Sequence, residues 1–337
     1  KADAVITAEE YQLAPYMGSK VYPVAYLNHD EASIIYNPDG AIIVAEYTFT
    51  LTAPATQNYN APEPKTVLLK IEQRYLEIKV LDVSKVYGES DPVFGYTVSG
   101  LAEGDTLDIA LRRQQAAVNH VGSYEITYSR LDVYNDNGDN VTAFYGYKYI
   151  SAYLTIMPFE LTITAQSSSK IYGESDPDFE YTVSHALKYS DRFTGRLSRE
   201  AGEHVIVGGY QITMGTLAIS DGNNGLNYDI NFINDSAFLT INPRTIYVQG
   251  HHKSKVYGED DPEFTYEISS GSLVNGDYIY GQLERETGQT VNEYYILQGN
   301  LAIEDGNQGE NYIMRYNIGI LTITQRDIEI SAYNKSK

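Results

Sequence analysis

Short runs in which apolar and polar residues alternate recur along the whole chain. Residues 45–51 read Ala-Glu-Tyr-Thr-Phe-Thr-Leu, and residues 76–80 and 161–165 alternate in a similar way. A period of two is typical of strands that bury one face. Gly, Asp, Asn and Pro separate the runs about every ten residues, as in all-β proteins. The pattern predicts an all-β fold and is compatible with one short helical turn near Gly104 or Gly276.

One stretch of the sequence occurs three times at a spacing of 85 residues. It has the pattern Lys-x-Tyr-Gly-Glu-x-Asp-Pro-x-Phe-x-Tyr, and agreement at a fixed period indicates tandem copies of one module. We call this stretch the signature. Its predicted structural residues are Lys85, Tyr87, Gly88, Asp91, Pro92 and Phe94, then Lys170, Tyr172, Gly173, Asp176, Pro177 and Phe179, and finally Lys255, Tyr257, Gly258, Asp261, Pro262 and Phe264.

The repeats divide the chain into modules with short joints. The predicted boundaries are 1–74 for a divergent, shorter β module (the N-terminal module), 75–158 for repeat 1, 159–243 for repeat 2, 244–325 for repeat 3, and 326–337 for the start of a further, truncated repeat. The joints contain Pro158 or Pro243 and no Gly/Ser linker, so we expect them to bend little. Four modules in line would reach roughly 120 Å.

The signature suits a turn followed by a strand. Its glycine favours a positive φ or a close approach of another chain segment, and its Asp-Pro pair restricts the backbone. Tyr87 is expected to pack on its own module. Lys, Tyr, Glu and Asp together invite a catalytic interpretation, but a residue set repeated after each module's first strand favours a folding element. Lys20-Val21-Tyr22 resembles the signature, but Pro23 replaces its glycine, so it is not counted as a copy.

Composition excludes several classes of partner. The net charge of −21 argues against binding nucleic acid, which requires Lys and Arg to neutralise phosphates, and against docking on anionic lipid. The chain has no cysteine, so neither disulfides nor thiolate metal sites are available. No apolar run approaches the roughly 20 residues that span a bilayer.

Acidic loops are the strongest candidates for a metal site. Their Asp and Asn side chains offer the oxygen ligands that calcium prefers, although the spacing of an EF-hand is absent and the same residues form turns. The candidate ligands are Asp132, Asp136, Asp139 and Asn140 in repeat 1, Asp221, Asn223, Asn227 and Asp229 in repeat 2, and Asp305, Asn307 and Asn311 in repeat 3. No cofactor is otherwise predicted.

Tyrosine is unusually frequent, with 32 Tyr against 9 Phe and no Trp. Clustered tyrosines suit a carbohydrate-stacking face, but cross-strand packing explains most of them equally well. The clusters are Tyr145, Tyr147, Tyr149 and Tyr153 in repeat 1, and Tyr278, Tyr280, Tyr294 and Tyr295 in repeat 3. His251 and His252 are adjacent on a predicted strand, so their rings point to opposite faces and do not share a metal.

Several motifs recur in the same order within the repeats. The signature is followed by Gly-Asp, Gly-x-Leu, Asn-Tyr and Leu-Thr-Ile. This order resembles the YGX-type MBG domain, which occurs in tandem in large bacterial cell-surface proteins, including adhesins. The resemblance covers residues 75–325 and the start of a further copy, and residues 1–74 look like a shorter relative. In repeat 1, residues 108–111 stand where Gly-x-Leu-x-Arg is expected. The resemblance implies an extracellular, non-catalytic module and supplies no catalytic residues.

We therefore predict an elongated tandem array of small all-β domains, β-grasp-like or immunoglobulin-like, each with at most one short helical turn. The functional hypothesis is a non-catalytic, monomeric stalk or spacer of a bacterial adhesin-like protein, outside the cell or attached to its wall. One alternative is that the modules themselves bind host glycan, mucin or glycoprotein. A weaker alternative is an adhesion module that calcium stabilises. An enzyme is the least favoured hypothesis, and this stretch is expected to make no membrane contact.

Overall fold

The computed structural model of the protein describes residues 1–333, and nearly all of its regular structure is β-strand. The all-β prediction is confirmed. The helical content of the described residues is one 3₁₀ turn, η1 (Thr142–Phe144), whereas Gly104 and Gly276 lie in hydrogen-bonded turns with positive φ. No helix in this part of the chain is long and apolar enough to cross a membrane.

The strands follow one another with short connections in every module. The N-terminal module contains β1 (Ala2–Asp3), β2 (Ile6–Ala8), β3 (Tyr11–Pro15), β4 (Ala25–Leu27), β5 (Ile35–Asn37), β6 (Glu46–Thr52), β7 (Tyr59–Asn60) and β8 (Lys65–Glu72). Repeat 1 contains β9 (Arg74–Val80), β10 (Val83–Val86), β11 (Tyr96–Ser99), β12 (Thr106–Arg113), β13 (Gly122–Tyr134), β14 (Tyr145–Ile150) and β15 (Ala152–Met157).

The second and third repeats carry two additional short strands each. Repeat 2 contains β16 (Phe159–Ala165), β17 (Ser168–Ile171), β18 (Tyr181–Val183), β19 (Arg192–Thr194), β20 (Ser198–Arg199), β21 (Tyr210–Thr213), β22 (Ala218–Ser220), β23 (Tyr228–Ile233) and β24 (Phe238–Asn242). Repeat 3 contains β25 (Arg244–Gly250), β26 (Lys253–Val256), β27 (Tyr266–Ser270), β28 (Tyr278–Tyr280), β29 (Glu284–Arg285), β30 (Glu293–Leu297), β31 (Ala302–Glu304), β32 (Tyr312–Asn317) and β33 (Gly319–Thr324).

Repeat 3 shows how one module is built from two main sheets. One sheet has the order β27-β25-β32 and the other β26-β33-β30-β29. The first strands β25 and β26 pair in parallel with the late strands β32 and β33, so the beginning and end of the module are held together. Ile246 and Val248 from one sheet share a core with Ile296, Leu321 and Ile323 from the other. Alternation places these residues on the inner faces, and their burial is the main favourable contribution to folding.

The same arrangement recurs earlier in the chain. β3 pairs in parallel with β8, β10 with β15, and β17 with β24, and each pair heads a four-stranded sheet. The chain forms two compact units, one of residues 1–159 with Leu226–Tyr228 and the other of residues 160–225 and 229–337. Within each unit, one cluster of buried side chains includes residues of two successive modules. The module boundaries proposed from the sequence stay a prediction.

The last described residues form no regular structure. Residues 325–333, which contain the predicted start of the truncated repeat, make no strand, and Ile328, Ile330 and Tyr333 are exposed. In the complete repeats, the first strand pairs with later strands of its own module, as β25 does with β27 and β32. Residues 325–333 pair with no strand among the described residues. The rest of the predicted truncated repeat, 334–337, lies outside the described residues.

Candidate functional site

In every module, a tyrosine directly follows the strand that pairs in parallel with the last strand of that module. In repeat 3, β26 ends at Val256, and the backbone N–H of Tyr257 donates to the carbonyl of Thr324 (2.9 Å), the last residue of β33. The equivalent bonds join Tyr16 to Glu72, Tyr87 to Met157 and Tyr172 to Asn242. The N-terminal module therefore has its own copy of this tyrosine, at Tyr16 and not at Tyr22.

The glutamate and glycine of the signature close a tight turn. The carboxylate of Glu259 accepts a hydrogen bond from the N–H of Val256 (3.1 Å), and the N–H of Glu259 donates back to the carbonyl of Val256. Between them, Gly258 has a φ of +88°, which L side chains rarely adopt. Gly88 and Gly173 have the same conformation. The turn fixes where the preceding tyrosine points.

The lysine and aspartate of the signature form a partly buried ion-pair cluster with an arginine from a later strand. Lys255 Nζ lies 2.6 Å from Asp261 Oδ1, and Arg285 Nε lies 2.7 Å from Asp261 Oδ2. The lysine side chain is only 3% exposed and also donates to the carbonyl of Glu259. Hydrogen bonding by Arg285, together with the charge of both cations, outweighs burial and lowers the pKa of Asp261. We call this cluster the ion-pair clamp.

The clamp is present in all three repeats. Its members are Lys85, Asp91 and Arg113 in repeat 1, and Lys170, Asp176, Arg199 and Glu203 in repeat 2. In repeat 1 the sequence lacks the expected Gly-x-Leu-x-Arg element, but the end of β12 supplies the guanidinium at Arg113. The pKa values of Asp91 and Asp176 are lowered as well. Each charged group of the clamp is therefore paired with a group of opposite charge.

The signature tyrosine does not pack only on its own module, contrary to the sequence-based expectation. Tyr172 is 2% exposed, and its ring lies edge-on to that of Tyr312 in repeat 3, with the centroids 5.4 Å apart. Its hydroxyl donates to Asp277 Oδ2 (3.1 Å), which also accepts from the hydroxyl of Tyr312 (2.7 Å). Tyr87 likewise lies edge-on to Tyr228. The tyrosine is therefore a joint residue between successive modules.

Burial keeps these phenols protonated. Desolvation, with the nearby carboxylate of Asp277, raises the pKa of Tyr172 and raises that of Tyr312 still further. A protonated hydroxyl can donate to the carboxylate, which is the arrangement observed. In the N-terminal module, Tyr16 packs edge-on to Tyr145, whose hydroxyl donates to Asp105 (2.6 Å). The same Tyr–Tyr–Asp set thus forms the joint between the N-terminal module and repeat 1.

The Asn-Tyr motif contributes the other half of the joint between repeats 2 and 3. Asn311 is fully buried, and its Oδ1 accepts from the backbone N–H of Val205 in repeat 2 (2.8 Å). Its Nδ2 lies 3.0 Å from His204 Nδ1, so the amide donates and the ring nitrogen accepts. Asn307 donates to the carbonyl of Val205 (3.0 Å). Two of the predicted calcium ligands therefore hold successive modules together.

Both carboxylate oxygens of Asp305 in this loop are engaged by backbone donors. Asp305 Oδ1 accepts from the N–H groups of Asn307 and Gly309, and Oδ2 accepts from Asn311. These bonds outweigh burial and lower the pKa of Asp305. Asp221 holds Asn223 and Gly225 in the same way. Among the described residues, no three His, Asp or Glu side chains are grouped to hold a metal ion. The calcium hypothesis stays a prediction.

The other calcium candidates are dispersed. In repeat 1, Asp132 accepts from Asn140 (3.1 Å), and the backbone of Asp139 is held by Asn135. Asp136 lies beside Gly104, and Asp229 is exposed on β23. Neither arrangement directs several carboxylates toward one point.

The clustered tyrosines divide into packed and exposed members. Tyr145 is buried in a joint, whereas Tyr147 and Tyr149 both contact Tyr128, so cross-strand packing accounts for them. Tyr294 lies beneath the guanidinium of Arg285 at 5.4 Å. The members of the clusters that remain exposed are Tyr147, Tyr153, Tyr278, Tyr280 and Tyr295.

The adjacent histidines contact different groups. His251 Nδ1 lies 2.9 Å from the hydroxyl of Thr265, and His252 Nδ1 accepts from the N–H of Ile320 (3.1 Å). Each ring therefore hydrogen-bonds to a nearby residue of repeat 3.

The sequence model of one protein family, described as MBG domain (YGX type), matches the chain three times, at residues 76–143, 161–239 and 246–322. No curated relative matches the chain. Among solved structures, the crystal structure of Drosophila N-cadherin EC1-4 is similar over 97% of this chain and 100% of that chain, at 6% identity and a TM-score of 0.21. A likeness at that score supports no conclusion about fold or function.

Proposed function

Because the chain belongs to the MBG domain (YGX type) family, we propose that it is a non-catalytic stalk or spacer of a bacterial adhesin-like surface protein. Tandem MBG repeats fit the repeat region of a surface protein, and the all-β fold fits a structural module. In this proposal the array is extracellular, attached to the cell surface, and monomeric. It holds a binding region at a distance from the cell.

The continuous packing between repeats 2 and 3 is the observation that carries this proposal. A spacer keeps its two ends far apart only if successive modules resist bending relative to each other. Tyr172 inserts its ring between the modules, and Arg244, the first residue of repeat 3, donates to the carbonyl of Tyr172 (2.9 Å). Together with Asn311, these contacts form a packed and hydrogen-bonded joint, which favours a stiff connection over a flexible linker.

Small-angle X-ray scattering of the 337-residue chain tests the spacer function. We expect an elongated particle whose maximum dimension approaches the roughly 120 Å of four modules in line. A Tyr172→Ala variant should scatter as a more flexible chain, while Tyr257→Ala, which changes an exposed copy of the same residue, should not. A compact particle would contradict the spacer function.

A second candidate function, binding of host glycan or glycoprotein, is favoured by exposed tyrosines on repeat 3. Tyr278 and Tyr280 lie edge-to-face on β28 with their rings open to solvent, as in surfaces that stack on sugars. Screening the chain on glycan and mucin arrays, with calcium and with EDTA, tests this function and the weaker calcium hypothesis together. Saturable binding that a Tyr278→Ala variant loses would replace the spacer function with a ligand-binding one.

A further inference from the structure

Repeat 3 carries the same joint tyrosine as repeat 2, but no module covers it within residues 1–333. Tyr257 follows the same strand, makes the same backbone hydrogen bond to the end of its module and precedes a glycine with the same positive φ. Its own clamp is complete. Yet Tyr257 is 49% exposed, whereas Tyr172 is 2% exposed. The ring of Tyr257 is therefore half exposed in the position where that of Tyr172 is buried.

A neighbouring valine is exposed in the same way. The hydroxyl of Tyr210 donates to the carbonyl of His204, and the hydroxyl of Tyr294 donates to that of Thr290, so Thr290 is the counterpart of His204. The residue after each is a valine. Val205 packs in the shared core of repeats 2 and 3, whereas Val291 is 48% exposed. Tyr257, Thr290 and Val291 form what we call the open face of repeat 3.

We propose that the open face is a docking surface for the N-terminal end of another module of this same type. The two earlier repeats define the required partner chemistry. The tyrosine hydroxyl requires a partly buried carboxylate like that of Asp277 beside a second tyrosine like Tyr312. The valine N–H requires an amide oxygen like that of Asn311 or Asn227, which accept from Val205 and Val121.

The chain itself supplies part of this joint. In the joint of repeats 2 and 3, Arg244 donates to the carbonyl of Tyr172. Arg326 follows repeat 3 in the same sequence context, and its Nη1 lies 3.1 Å from the place that a Cβ on Gly258 would take. The counterpart of Arg244 therefore already lies beside the signature turn. This inference rests on the joint geometry and does not depend on the spacer function.

Nitration of tyrosines by tetranitromethane, mapped by peptide mass, tests the open face in the chain as it exists. We expect Tyr257 to react and Tyr172 to be protected, with Tyr278 as the exposed positive control. Equal rates at Tyr257 and Tyr172 would overturn the proposal.

An extended chain tests the partner. A copy of residues 244–325 is added after residue 325, carrying Tyr257→Phe in the added copy so that the two signature peptides differ in mass. We expect nitration of the original Tyr257 to slow several-fold, and an added copy that also carries Asp277→Ala and Asn311→Ala to protect it less. Hydrogen exchange of the added copy shows whether it has folded. An unchanged rate at Tyr257 beside a folded copy would overturn the proposal.

Discussion

Tyr172 and Tyr312 lie edge-to-face at 5.4 Å with an angle of 75° between their rings, and both hydroxyls donate to the same oxygen of Asp277. The first tyrosine belongs to repeat 2, and the other two residues belong to repeat 3. The most repeated motif of the sequence thus contributes to the packing of one module on the next, in addition to its own turn. Burial of both rings around a hydrogen-bonded carboxylate gives the joint hydrophobic area and a defined geometry.

Loss of the joint ring should destabilise the protein only where the ring is covered. Tyr172→Ala removes a buried aromatic side chain and leaves a cavity, so we expect a loss of about 3 kcal/mol in the stability of repeats 2 and 3. Tyr257→Ala makes the same change at an exposed copy and should alter stability by less than about 0.5 kcal/mol. Native-state hydrogen exchange resolves the two repeats, since a multidomain chain does not unfold in one step. Equal losses in the two variants would contradict the assigned role.

Neutralising the clamp should have a larger effect than neutralising a surface ion pair. Asp261→Asn leaves the buried ammonium of Lys255 without its carboxylate, and removal of one partner from a buried pair typically costs about 3 kcal/mol. Glu77→Gln is the matched control, because the ion pair of Glu77 with Lys148 is about half exposed on both sides. Exposed pairs contribute about 0–1 kcal/mol. Similar losses of stability for the two variants, measured by native-state hydrogen exchange in the repeat that carries each substitution, would show that the clamp contributes no more than a surface pair.

The turn and the strand of the signature can be predicted from local sequence, but the surface that packs on its tyrosine cannot. Alternation and the Tyr-Gly and Asp-Pro pairs predict the backbone around Tyr172, because turns and strands depend on neighbouring residues. The identity of the covering surface depends on Asp277 and Tyr312, which belong to another repeat and lie far along the chain. Local periodicity contains no information on such a contact. One signal was available: the tyrosine recurs as strictly as the glycine beside it, although a turn requires only the glycine.

In the N-terminal module, sequence similarity points to the wrong tyrosine. Tyr16 is its joint residue, but Met17 separates Tyr16 from Gly18, so the Tyr-Gly pattern is lost in the sequence. The Lys20-Val21-Tyr22 segment is more similar in sequence to the signature, but the side chains of Lys20 and Tyr22 both hydrogen-bond to Asp39 at the surface. Tyr16 is identified as the equivalent residue by its position directly after β3, which pairs in parallel with β8, and not by sequence similarity. That position becomes visible only once the sheet order is known.

The clamp should make the protein acid-sensitive. Asp176 and Asp261 have folded-state pKa values below the unfolded value of about 3.9, because arginine and lysine favour the carboxylate. The stabilisation is therefore fully present above the unfolded pKa and is lost as the pH falls through the folded pKa. We expect the thermal midpoint to drop steeply below about pH 4. Asp261→Asn should reduce that slope, and an unchanged slope would exclude this carboxylate as its source.

The two equivalent glycines Gly173 and Gly258 should respond differently to alanine. Both have positive φ, so each substitution strains the backbone by about 1–2 kcal/mol. A Cβ on Gly173 would also lie 2.5 Å from Cγ2 of Val274 in repeat 3, whereas a Cβ on Gly258 would meet only the end of the flexible Arg326 side chain. We therefore expect Gly173→Ala to cost about 1–3 kcal/mol more than Gly258→Ala. Hydrogen exchange measures both losses, and the excess should appear in both repeat 2 and repeat 3. If the two variants lose equal stability, the close approach of Val274 to the signature turn does not constrain the joint.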